Sequence, residues 1–147
     1  MEEPQPSHYQ EAIVRCGTTK GTFSLRLIRK WSPLGYDRAV SLFQRGFYDH
    51  THFFRTVHGF LVQFGISYTT DPALRKFGNT HIRDDPQLDP PILFDEGVVS
   101  FAGGGQDTRT SQLFIAYGKI PSLVSPFSRQ VILEHKSPPK RQSSCSR

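Results

Sequence analysis

Cysteine and long apolar runs are what this 147-residue chain has least of. Its two cysteines, Cys16 in a strand-like run and Cys145 in a polar stretch, offer neither metal-ligand spacing nor a disulfide framework, which favours a reducing, cytoplasmic setting. No apolar stretch approaches the ~18 residues of a membrane span. The opening Met1-Glu2-Glu3-Pro4-Gln5-Pro6 lacks the basic and apolar regions of a secretory leader, so neither membrane nor export is expected. Missing too is a G-x-S-x-G elbow, and Ser100 and Ser111 sit in strand-like runs without a local cue to a base, which argues against a nucleophilic hydrolase. Gly103-Gly104-Gly105 has no following Gly-Lys-Ser/Thr and leads into a strand-like segment, so its glycines suit close backbone approach better than a phosphate cradle. His50, His52 and His58 are close in sequence, but no cysteine or carboxylate joins them at ligand spacing. They read as surface histidines, and no metal or other cofactor is expected.

The net charge of +5 is unevenly spread. Residues 134–147 hold four Lys/Arg and one Glu, which leaves 14 basic against 12 acidic residues in the body. A nucleic-acid partner is therefore disfavoured, since a binding domain needs its positive charge clustered on the folded part.

What the chain has is aromatic residues and turn formers: 12 Phe, 5 Tyr, 12 Gly and 11 Pro. A chain of about 150 residues can bury roughly 68–70% of its unfolded surface in one core without staples. Short apolar runs between Gly and Pro favour a mainly β architecture. Tyr9 to Cys16 and Thr22 to Ile28 read as a hairpin, with Phe23, Leu25 and Leu27 alternating against polar neighbours. Ser32-Pro33 is a helix start, Ser32 as the N-cap and Pro33 at the first helical position. Tyr36, Ala39, Val40 and Phe43 then recur at helical spacing up to Gly46. Further strands are expected at 53–55, 60–64, 98–102 and 112–117, with a last one over Phe127 to Leu133. Residues 66–96, interrupted by Pro72, Pro86, Pro90 and Pro91, read as one long loop. The expected organisation is a flexible segment over 1–8, one domain over 9–133 and a basic polar tail over 134–147.

One arginine stands in an aromatic run, Phe53-Phe54-Arg55, followed by Gly59-Phe60-Leu61-Val62-Gln63-Phe64-Gly65. Composition alone favours a snorkelling surface arginine. The order of motifs changes that. Gly46-Phe47-Tyr48-Asp49, Phe53-Phe54-Arg55, Gly59 to Gly65, Ser100-Phe101-Ala102-Gly103-Gly104 and Thr110-Ser111-Gln112-Leu113-Phe114-Ile115 resemble the cyclophilin family of peptidyl-prolyl cis-trans isomerases, in order and separation. The resemblance runs from about Tyr9 to Tyr117 and includes the Trp31-Ser32-Pro33 to Arg38 helix entry of a subgroup.

The resemblance implies a closed antiparallel β-barrel of eight strands, a helix over each open end and a substrate groove on the outer face. It implies catalytic roles for Arg55 and Gln63, a proline pocket walled by Phe60, Leu61 and Phe114, and a groove lined by Ala102, Gly103, Gly104 and Gln112. The implied partners are proline-containing peptides and proteins, and the implied activity assists their folding; the alternative is a catalytically weak proline-peptide binding module. Phe54 stands where the family often has histidine and Gly103 where asparagine is usual. No tryptophan follows Phe114 at the place the family commonly uses one, which implies weak cyclosporin binding. Pro126 to Ile132 only loosely resembles the family's approach to its last helix and closing strand. Closure at the C-terminal edge is thus left between two outcomes: an exposed edge on Tyr9 to Cys16, or pairing of that strand with Phe127 to Leu133.

Overall fold

A computed structural model describes residues 11–90 and 93–119. The chain opens with two antiparallel strands, β1 (Glu11–Thr18) and β2 (Gly21–Ile28), paired from Glu11↔Ile28 to Thr18↔Gly21. Gly21 takes a φ of +125°, the backbone region open to glycine, and the Thr18 hydroxyl donates to its carbonyl, closing the turn. Cys16, Phe23, Leu25 and Leu27 face the core, as the alternation predicts.

A single turn of 3-10 helix at Arg29–Trp31 leads into α1 (Pro33–Gln44). Pro33 opens the helix and Tyr36, Ala39, Val40, Leu42 and Phe43 are buried along one face. The cap differs from the expectation: the Ser32 side chain makes no capping bond. Asp85, about fifty residues on, accepts from the backbone N–H groups of Leu34 (2.8 Å) and Gly35 (3.1 Å) and from the Ser32 hydroxyl. A carboxylate satisfies these orphan donors and complements the positive helix end more strongly than a neutral hydroxyl would.

The next four strands, β3 (Arg55–Val57), β4 (Leu61–Phe64), β5 (Val99–Phe101) and β6 (Leu113–Ala116), form one antiparallel sheet in the order β3-β4-β6-β5. Between β4 and β5 lies α2 (Pro72–Asn79), within the stretch expected to be a loop. Its start has a local cause: Asp71 Oδ1 accepts from the N–H groups of Ala73 (2.9 Å) and Leu74 (3.3 Å), and Pro72 has no N–H to satisfy. The helix is held from outside. Gly78 lies so close to Phe47 that a Cβ there would stand 2.2 Å from the ring, and Arg38 Nη1 donates to the carbonyls of Phe77 (3.0 Å) and Thr80 (2.7 Å). Burial pushes the pKa of Arg38 below its ordinary value. Two turns are too few for helical periodicity to stand out in sequence.

Among the described residues the fold is mainly β with two α-helices, but the strands make two separate sheets, one of two strands and one of four. They do not close into the expected barrel. Phe127 to Leu133, which one of the two closure outcomes pairs with β1, lies outside the described residues, as do the segments 1–8 and 134–147.

In the four-stranded sheet β4, β5 and β6 are buried on both faces, whereas β3 is exposed at Arg55 and Thr56. Val62 and Phe64, Val99 and Phe101, and Leu113 and Ile115 join β2 and α1 in the main core. The alternate positions Leu61, Phe114 and Ala116 join Phe94 and Val98 in a second cluster on the outer face, with Trp31, Phe60 and Ala102 partly buried around it.

Candidate functional site

The outer face carries the residues singled out in sequence. Arg55 on β3 pairs directly with Gln63 on β4, and Gln63 pairs with Phe114 on β6, so strand register places all three on one face. Arg55 Nη1 donates to Gln63 Oε1 at 3.3 Å, and Gln63 Nε2 donates to Gln112 Oε1 at 2.8 Å. Gln63 is 8% exposed whereas Arg55 is open to solvent. The amide thus ties an exposed guanidinium to the buried sheet while leaving most of its donors available.

Beside this relay lies an apolar floor. Leu61 and Phe114 are buried, and Phe94 stacks on Phe114 with ring centroids 5.7 Å apart and planes 23° from parallel. Phe60 enters from a tight turn, its N–H donating to the Val57 carbonyl at 3.0 Å, with Gly59 at φ +69°. On the far side the Phe60 carbonyl accepts from Tyr117 N at 2.9 Å. Partial burial pushes the pKa of the Tyr117 phenol above its ordinary value.

A ledge of small residues flanks the floor. Ala102 N donates to the Gln112 carbonyl at 2.9 Å, which fixes the start of the ledge to the root of β6. Gly103 and Gly104 follow, both exposed, and a Cβ at Gly104 would meet nothing within 4 Å. The Thr108 hydroxyl accepts from Gly104 N (2.8 Å) and donates to the Gly105 carbonyl (2.9 Å), holding the loop from behind. Gly65 is required at the other side. Its φ is +114°, and a Cβ would lie 2.7 Å from the Ser111 carbonyl oxygen and 2.9 Å from Gln112 Cα.

The sequence-derived positions Arg55, Gln63, Phe60, Leu61, Ala102, Gly103, Gly104, Gln112 and Phe114 lie on the outer face of this sheet and in the loop that follows β5. Sequence reading missed Phe94, Val98 and Trp31, which complete the floor. Phe94, an aromatic residue ending a Pro-rich stretch, was the available signal. His50 has a φ of +60° outside any strand, and His52 Nδ1 lies 3.1 Å from the Tyr68 hydroxyl. Among the described residues no three of His, Cys, Asp and Glu converge as metal ligands, and no helix is long and apolar enough to cross a membrane.

Comparison with known proteins places this chain in a wider set. The family model for cyclophilin type peptidyl-prolyl cis-trans isomerase/CLD matches residues 13–130. The "Peptidyl-prolyl cis-trans isomerase-like 2" of Aspergillus oryzae is 30% identical over 115 residues, covering 78% of this chain but only 20% of that protein. A "Peptidyl-prolyl cis-trans isomerase" of Helicobacter pylori is 32% identical over 106 residues, covering 72% of this chain and 63% of that protein. The chain thus spans about a fifth of the length of the first relative and under two thirds of the second. Among solved structures, a Cryptosporidium parvum cyclophilin type peptidyl-prolyl cis-trans isomerase has the same fold, with a TM-score of 0.64 at 23% identity over 92% of this chain and 78% of that one. A second crystal structure of that protein was obtained in the presence of the dipeptide Ala-Pro.

Proposed function

The chain belongs to the cyclophilin-type peptidyl-prolyl cis-trans isomerase family, and from that membership we propose that its groove turns X-Pro peptide bonds in protein substrates, assisting their folding. The observation that carries the reading is the relay from Arg55 through Gln63 to Gln112, set beside the apolar floor of Leu61, Phe94 and Phe114.

An X-Pro bond faces a rotation barrier of ~18–20 kcal/mol from amide resonance. It turns over tens to hundreds of seconds unaided. A catalyst has to favour the twisted amide, in which the prolyl nitrogen regains a lone pair. Phe60, Leu61 and Phe114 hold the ring in a water-poor pocket, and the ledge at Ala102, Gly103 and Gly104 receives the preceding backbone. Gln112 and Gln63 offer amide groups to that backbone, and Arg55 donates to the nitrogen only as its lone pair appears. Binding that strengthens along the reaction coordinate lowers the barrier, whereas uniform binding does not. Arginine suits the task because its charge is fixed and its donors are directional. A charge-assisted bond gaining ~1.5–3 kcal/mol at the transition state supplies about one to two decades of rate. The remainder comes from exclusion of water and a prepared geometry. No bond is broken and no group or electron is transferred, so the reading calls for no cofactor. The sparse cysteines suit work in the reducing cytoplasm.

A protease-coupled assay on a short X-Pro peptide, with binding measured in parallel, tests the reading. Acceleration above the spontaneous rate is expected; binding without acceleration would make this a proline-peptide binding module instead. Cyclosporin is expected to bind weakly, because no tryptophan follows Phe114 and truncating an aromatic anchor costs about 2 kcal/mol or more. Calorimetric affinity matching that of ordinary family members would contradict this.

A further inference from the structure

The largest fully buried side chain among the described residues is charged. Arg109 is 2% exposed and lies three residues before Gln112. Its Nη1 donates to Asp85 Oδ2 (3.2 Å) and Ser32 Oγ (3.3 Å), and its Nη2 to Asp85 Oδ2 (3.2 Å) and the Arg83 carbonyl (2.5 Å). Nε lies 3.8 Å from Asp84 Oδ1, and the guanidinium carbon stands 5.5 Å from the Phe101 ring centre. Asp85 is the carboxylate that caps α1, so one side chain joins the strand root at 109 to the helix start at 33.

This arginine stands directly behind the glycine ledge. A Cβ at Gly103 would be 3.7 Å from Arg109 Cγ and 3.2 Å from Thr108 Oγ1. The Arg109 carbonyl accepts from Ile82 N at 2.9 Å, anchoring the backbone at the same point. Three successive glycines bring wide conformational freedom and no side chains to brace themselves. Their position therefore depends on what lies behind them. A buried guanidinium with partners in several directions has essentially one placement, which makes it a stiff support.

We propose that Arg109 is a positioning residue for the groove: it sets the height of the Gly103–Gly105 ledge and aims Gln112 at Gln63, and thereby governs affinity for the peptide segment before proline. This rests on the groove reading given above. An ion pair with a purely structural role would change how much protein is folded and leave the affinity of folded molecules alone. A positioning role appears in KM.

The test uses Arg109→Lys and, as a milder change, Asp84→Asn. Lysine keeps the charge but replaces a planar five-donor fork with a point ammonium, which cannot reach Asp85, Ser32 and the Arg83 carbonyl together. Asparagine at 84 removes the charge facing Nε and leaves the bonds to Asp85 in place. Both are assayed at low temperature, with folding verified by near-UV circular dichroism, on an X-Pro peptide whose KM reports binding. Amide exchange is read in parallel at Ala102 and Gly104 and, for reference, along Phe23–Leu27. For Arg109→Lys, KM is expected to rise about fivefold or more with kcat within about twofold. Faster exchange is expected at Ala102 and Gly104 and not in β2, and Asp84→Asn is expected to act in the same direction more weakly. Lower kcat at unchanged KM, or exchange quickened equally in both sheets, would overturn the proposal. So would an unfolded Arg109→Lys protein together with an Asp84→Asn protein like the unaltered chain. If the unaltered chain turns over no X-Pro peptide, the isomerase reading fails and the exchange pattern alone decides the role of Arg109.

Discussion

The two faces of the four-stranded sheet are made by the same strands and do opposite things. On the inner face Val62, Phe64, Leu113 and Ile115 meet β2 and α1, and the apolar layer is continuous. On the outer face Leu61, Phe114 and Ala116 form a smaller apolar patch that stops at a polar line of Arg55, Gln63 and Gln112. The inner face is sealed by a helix and a strand. The outer face is edged by Phe60 and by glycines that leave room above it. Stability should therefore reside mainly on one side of each strand and turnover on the other, with successive residues belonging to different functions.

Substitutions in neighbouring positions can break that division. The largest effect is expected from Phe64→Ala, which empties an inner site packed by Phe53 and Tyr48 and should cost about 3–5 kcal/mol in urea unfolding. Any remaining folded fraction should keep its catalytic constants, and a selective loss of turnover per folded molecule would erase the distinction between the faces. Next comes Arg55→Ala on the outer face. Turnover should fall at least about tenfold while the melting temperature stays almost unchanged, since the side chain is exposed and its proposed work is confined to the transition state. A matching loss of stability would show that Arg55 belongs to the scaffold. The smallest effect is expected from Gln63→Ala. It removes a neutral hydrogen bond to Gln112 worth about 0.5–1.5 kcal/mol and the bond that steadies the solvent-exposed Arg55 guanidinium but leaves that guanidinium in place, so activity should drop severalfold, and less than for Arg55→Ala. A deeper loss than that of Arg55→Ala would shift the centre of the mechanism from the guanidinium to the amide relay.

How much of this was legible in the sequence depended on the distance between the residues concerned. The hairpin of β1 and β2 and the start of α1 are written in neighbouring residues, the alternation of Phe23, Leu25 and Leu27 and the Ser32-Pro33 pair, and they could be read directly. The groove residues became legible through motif order, not through any single motif, because a lone arginine among phenylalanines has an ordinary explanation. The capping of α1 by Asp85 and the clamp of Arg109 on that same carboxylate join residues dozens of positions apart, and no local pattern announces them. Helix α2 was missed for a different reason: Asp71-Pro72 was a usable start signal, but eight residues with Leu74 and Gly78 buried do not establish a period. Barrel closure was inferred from resemblance, and the described strands stop at two sheets.

The alternation along β6 has a consequence at the level of the gene. Leu113 and Ile115 face one way while Phe114 and Ala116 face the other, and the strand is paired on both edges, with β4 and with β5. Loss or gain of one codon there would shift the pairing by a residue and exchange every inward side chain for an outward one. Core and groove would be lost together, although each substitution taken singly is apolar for apolar. In the ledge around Gly104 and Gly105 the same mutational event would leave the pairing of every strand intact and reach the groove alone. Lineages of this chain should therefore hold strictly to length across Leu113–Ala116, where a single added or lost residue costs fold and groove at once.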